Sequence, residues 1–233
     1  MKNLSIHTIM HVPFEGLGCI ENWIEQNQHS VSYTRLYEEF KFPAQEDFDW
    51  LIVMGGPMGV YDEAIYPWLK AEKSFIRKSI ENDKTVIGIC LGSQLIAEVL
   101  GSKVFLNKQK EIGWFDINMT KEGQDLPILK GFEEQFPVFH WHGDTFDLPA
   151  NGIRLFYSDV FKNQAFLYNE KILGLQFHLE VTLESMKEMV ENGSTELIES
   201  ETIQSAKQIL SKTNLIETNN RKMFRILDYF QNL

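Results

Sequence analysis

The sequence has only two cysteines in 233 residues, Cys19 and Cys90. Two thiols cannot build a disulfide framework, so a reducing compartment is expected. Long apolar runs are also missing, and none nears the ~18 residues of a membrane span. Basic residues are scarce: 22 Lys and Arg against 33 Asp and Glu leave a formal net charge of -11. Binding to a phosphate backbone is driven by Lys and Arg, so nucleic acid is not an expected partner. The opening stretch MKNLSIHTIMHVPFEG is broken by His7 and His11 and lacks the apolar core and small-residue cleavage site of a secretory leader. These absences together predict a cytoplasmic protein that handles small molecules, with no membrane partner.

Apolar runs and helical patterns alternate through the first hundred residues. LSIHTIMHV, VSYTRLY, FDWLIVM and TVIGI read as strands. The last two are continuously apolar, as strands covered on both faces are. GCIENWIEQN, PWLKAEKSFIRKSIEND and LGSQLIAEVL read as helices, the last closed by Gly101. Such alternation predicts an α/β fold, an open and mostly parallel sheet with helices on both faces. GWFDINMT, FPVFHWHGD, IRLFYSD, AFLYNE and KILGLQFH predict an antiparallel extension of that sheet. From Leu183 onward the pattern turns helical, and Met223, Ile226, Leu227 and Phe230 share one face. Core packing explains that stripe most simply; a partner-binding helix is the other reading. There are no repeats and no linker, so residues 1–233 are expected to form a single domain, with 184–233 as a helical C-terminal extension.

Chemistry concentrates at VIGICLGSQ. Cys90 lies between Gly88 and Gly92, at the joint of a buried strand and a helix. G-x-nucleophile-x-G at such a joint is a nucleophile elbow, a tight turn that lifts the side chain to the sheet edge. An ordinary thiol is only about 3% thiolate at pH 7. A helix N-terminus and a neighbouring imidazolium are expected to lower its pKa to between ~3.5 and ~7.5. The plainer reading of Cys90 is a small buried hydrophobe; Cys19, which has no such context, reads as core or surface filler.

A thiol nucleophile needs a base, and the base needs an orienter. GLQFHLEVT offers His178 and Glu180, which project to one side if the preceding strand continues through them. His142 is the other histidine with an acid at i+2, Asp144. The turn VMGGPMG would expose backbone N–H groups, placing that of Gly56 opposite that of Leu91 as an oxyanion hole. No Cys/His spacing marks a structural zinc site, and neither a metal nor a cofactor is expected.

GGP, GICLGSQ and FHLE, in this order and at these separations, resemble the class I (triad) glutamine amidotransferases. EIGWFDI and HWHGD are similar to stand-alone members related to the amidotransferase domain of GMP synthetase. The resemblance covers roughly Leu4 to Glu184. It implies a flavodoxin-like architecture and hydrolysis of the glutamine γ-amide through a γ-glutamyl thioester, releasing glutamate and ammonia. It makes Cys90 the nucleophile, His178 the general acid and base, and Glu180 its orienter, with Gly56 and Leu91 as oxyanion donors. It further implies substrate contacts from Gln94 and from His142, Gly143 and Asp144, the last three largely through backbone. A separate synthetase that takes the ammonia is a possible partner, because no P-loop for activating an acceptor is present. Two other functions stay open: a γ-glutamyl peptidase acting on peptides or conjugates, and a non-catalytic regulatory or binding subunit.

Overall fold

The computed structural model describes residues 3–233. Met1 and Lys2, the start of the stretch read for a leader, lie outside the described residues. The elements in chain order are β1 (Ser5–Met10), α1 (Cys19–Gln26), β2 (Ser30–Arg35), β3 (Trp50–Val53), α2 (Trp68–Glu81), β4 (Thr85–Ile89) and α3 (Leu91–Val99). They continue with β5 (Val104–Met119), α4 (Lys121–Gln124), β6 (Gln135–Phe146), β7 (Ile153–Tyr157), β8 (Ala165–Tyr168) and β9 (Ile172–Leu175). The chain closes with α5 (Leu183–Asn192), α6 (Ala206–Ser211) and α7 (Asn214–Gln231).

One nine-stranded sheet runs β2-β1-β3-β4-β9-β8-β7-β5-β6. The first five strands are parallel, and the remaining pairings are antiparallel. Side-chain alternation assigns the two faces. Trp50 and Ile52 of β3 join a core with α1 and α7, while Leu51 and Val53 join one with α2 and α3. A third apolar cluster packs α5 and α6 against Ile112, Trp114 and Phe139 of β5 and β6. The α/β reading holds, with helices on both faces. β5 differs from expectation: it starts at Val104, well before GWFDINMT, and its pairing with β6 shifts register between Leu106 and Glu111. The polar run NKQKE hides that stretch from an apolar-run search.

The stripe of Met223, Ile226, Leu227 and Phe230 is buried against the sheet, with Phe230 edge-on to Trp50 at 6.2 Å. Core packing is therefore the reading that stands. Gly101 has φ 92° just past α3, the left-handed closure expected of it. Among the described residues, no helix is long and apolar enough to cross a membrane.

Candidate active site

β4 ends at Ile89 and α3 begins at Leu91, so the turn between them is the single residue Cys90. Its φ is 51°, a left-handed conformation that side chains other than glycine rarely adopt. Such a turn folds α3 back against the strands. A Cβ at Gly88 would run into the backbone of Gly92, and one at Gly92 into the carbonyl of Val53. The flanking glycines are thus required by close approach on both sides, while their own φ values are ordinary.

His178 and Glu180 lie beyond the end of β9 at Leu175, not inside a continuing strand. They are nevertheless brought together: Nδ1 of His178 is 2.6 Å from Oε1 of Glu180, with both side chains buried. An antiparallel bridge to β6 holds the segment, His178 N–H donating to the Phe139 carbonyl at 2.8 Å. From the other side, the Cys19 N–H donates to the Glu180 carbonyl at 2.8 Å, and Gly18, at φ 53°, leaves room for that carbonyl. Nε2 of His178 has no hydrogen-bond partner, and this free nitrogen is the one left to act on the Cys90 sulfur.

The electrostatics correct one expectation. Burial pushes the Cys90 thiol up, and the opposing pulls of His178 and the Leu91 N–H do not reverse that shift. Burial acts to lower the imidazole, but Glu180 and the neighbouring sulfur overcome it and raise His178 well above its ordinary value. Glu15 adds to this balance. Its negative charge also acts to raise the thiol, and burial raises its own carboxyl. Glu15 stands on the loop after β1 and carries no motif, so nothing in the sequence marks it.

A cavity of about 540 Å³ opens over the sulfur, a size typical of small-molecule sites. Cys90, Gly56, Leu91, Gln94, His142, Gly143 and Asp144 line it, whereas His178 and Glu180 are not among its lining residues. The His142 side chain is 1% exposed, so what it offers the cavity is backbone. Gln94 donates to Gln176 at 3.1 Å, and Asp144 accepts from the Tyr61 hydroxyl at 2.9 Å, leaving Glu180 as the partner of His178. The Cys90 thiol itself donates to the Trp141 carbonyl at 3.5 Å. Met189, Asn192, Gly193 and Glu196 supply another wall. That contribution from the helical extension is not legible in its sequence, which matches no motif.

His11 has no acid at i+2 and so shows no local pairing signal. It is buried between the Gly55 carbonyl and Glu72, each 2.9 Å away, and pins the turn that carries Gly56. Its partner lies 61 residues on, beyond any local pattern.

A profile of the family "Glutamine amidotransferase class-I" matches residues 19–197. The chain is 32% identical to the glutamine amidotransferase-like protein YfeJ of Salmonella typhimurium, over 97% of this chain and 96% of that one. It is 34% identical to one subunit of the glutamine-hydrolyzing GMP synthase of Sulfolobus acidocaldarius, over 58% of this chain and 69% of that one. Among solved structures, a glutamine amidotransferase from Thermotoga maritima superposes with a TM-score of 0.88 at 32% identity, covering 99% of each chain.

Proposed function

The chain belongs to the class I glutamine amidotransferases, and from that premise we propose that it hydrolyses the γ-amide of glutamine through Cys90, His178 and Glu180. One observation carries the reading: a cysteine held at positive φ between β4 and α3 faces a buried His–Glu pair that keeps one ring nitrogen free.

In the first step Nε2 of His178 takes the Cys90 proton as the sulfur attacks the amide carbon. The charge that builds on the carbonyl oxygen is met by the N–H groups of Gly56 and Leu91. Glu180 stabilises the imidazolium at Nδ1. The tetrahedral intermediate collapses as His178 gives its proton to the leaving nitrogen, so ammonia departs and a γ-glutamyl thioester remains. Water, deprotonated by His178, attacks the thioester; glutamate leaves and the thiol recovers its proton. Gln94 and the backbone of His142-Gly143-Asp144 hold the amino-acid end of the substrate.

We read the chain as one domain that works without a synthetase attached. The apolar stripe of α7, the one docking candidate visible in the sequence, is used up by the core. The test is glutamate release by the purified chain, with Cys90→Ala as the blank. Turnover of glutamine supports the proposal. A chain that alkylates at Cys90 yet turns over no γ-glutamyl compound would instead be a subunit that needs its synthetase, or a regulatory one.

A second reading, a γ-glutamyl peptidase, is favoured by the reach of the cavity. It extends past the sulfur to Lys110, Asn192 and Glu196, beyond what a bare amide requires. Parallel assays with γ-glutamyl dipeptides separate the two.

A further inference from the structure

A second cluster of titratable side chains lies in the same region and takes no part in this chemistry. His140 and His142 are two apart on β6, so their side chains share a face. Glu111 of β5 pairs with His142 across the ladder. Oε2 of Glu111 is 3.5 Å from Nδ1 of His140 and 3.5 Å from Nε2 of His142, and the three side chains are 0–3% exposed. Neither approach is a hydrogen bond: both ring nitrogens of His140 and Nε2 of His142 lack a partner. Nδ1 of His142 lies 3.2 Å from the Asp144 carbonyl. A carbonyl only accepts, so that nitrogen carries a proton, and Nε2 faces the Glu111 carboxylate across 3.5 Å. Such an arrangement in a dry interior is costly unless a proton or a metal ion lies between the groups.

The geometry points to a divalent transition-metal ion of the zinc type held by Glu111, His140 and His142. With ligand bonds of ~2.0–2.1 Å, donors around a tetrahedral zinc sit ~3.4 Å apart, against the two observed separations of 3.5 Å, and all three donors lie within 4.8 Å of one another. Two imidazoles and a carboxylate are too rich in nitrogen for calcium or magnesium and suit zinc. The surroundings match as well. Gln164 Nε2 and the Ser158 hydroxyl donate to the same Glu111 oxygen at 2.6 and 3.2 Å, and the Asp144 carbonyl fixes the His142 tautomer. The fourth position falls to water.

The ion is structural. Trp141, between the two histidines, takes the Cys90 hydrogen bond, and the preceding Phe139 takes that of His178. Metal at His140 and His142 therefore fixes the strand segment that touches both reacting groups.

The test uses the full chain carrying Cys90→Ser, which removes the thiolate as a competing ligand. Stripped protein is titrated with Zn²⁺ against a chromophoric chelator, and with Co²⁺ to record a visible spectrum. The expected result is one ion per chain and a four-coordinate nitrogen–oxygen Co²⁺ spectrum without a sulfur charge-transfer band. Glu111→Gln and His140→Asn should each weaken Zn²⁺ binding by more than about 100-fold, and Ser158→Ala by only ~10–100-fold, as for outer-shell partners. If the Cys90→Ser chain, folded by circular dichroism, takes up no Zn²⁺, the proposal is overturned and a proton occupies the cluster instead. Uptake undiminished in folded Glu111→Gln and His140→Asn chains overturns it too, by placing the ion elsewhere.

Discussion

His178–Glu180 and His11–Glu72 are the same two side chains in the same kind of place. Both pairs are buried, at 2.6 and 2.9 Å, and in both the histidine is raised above its ordinary proton affinity. They differ in the second ring nitrogen. His11 spends it on the Gly55 carbonyl, whereas His178 leaves it unpartnered beside a thiol. A saturated pair can only hold structure, and an unsaturated one can move a proton.

The comparison breaks most decisively at the sulfur. Cys90→Ala should reduce glutamate release to that of a control without protein, while Cys19→Ala leaves it within a few-fold, because Cys19 sits in the core and burial pushes its thiol up. Steady-state assays of both variants check this, and full activity in Cys90→Ala would leave His178 with nothing to activate.

Next comes the acid that orients the base. Glu180→Gln should lower kcat/KM by ~10²–10⁴-fold, the range of acid–base contributions. Glu180 is a cause of the raised His178 value, so removing it lowers that value and moves the acid limb of the pH–rate profile to lower pH. An unmoved limb would mean that another group sets the limb.

Gly56→Val should cost ~10²–10³-fold in kcat, the typical loss of one oxyanion donor. Its Cβ would press on His11, so the turn would shift. Glutamate binding by calorimetry should change far less; equal losses would make the turn a wall of the ground-state pocket.

A smaller catalytic effect is expected from Glu72→Gln, with activity kept within ~10-fold but stability lowered by about 1.5–3 kcal/mol, the value of a hydrogen bond to a charged group. His11 is raised in the folded state. Its contribution is therefore complete below the ordinary histidine value of ~6.5 and is lost as pH rises through the folded value. Urea melts across that window should show wild type and Glu72→Gln converging upward in pH. A constant gap would assign the loss to packing.

The parallel half is legible because each element announces itself locally. WLIVM and VIGI are apolar throughout since both sheet faces are covered, and Gly88 and Gly92 mark the approach that the elbow demands. The His178–Glu180 pair is legible for a reason only partly right: spacing of two brings the pair together, although the segment is bridged irregularly and not part of β9. What stays hidden is made by distance along the chain. Glu72 reaches His11 from α2, Glu111 meets His140 and His142 across a hairpin, and Gly193 and Glu196 close the cavity from the extension. None of these has a periodicity, and one sequence alone gives no means of pairing them. The thiol misleads for a related reason: helix position is visible in sequence, but the burial that outweighs it is not.

β9 lies between β4 and β8, yet it is made 82 residues after Cys90, as 172 − 90 gives. While the chain emerges from the ribosome, β4 therefore waits with one apolar edge open, the condition in which sheets recruit the wrong partner. The strand that closes this edge is followed within three residues by His178. Closure of the sheet and arrival of the base are thus one event. A nascent or truncated chain carries an exposed edge and a thiol without its base, so it is prone to aggregate before it can hydrolyse anything. Folding rate, which non-local pairing of this kind slows, then limits how soon a newly made chain becomes active.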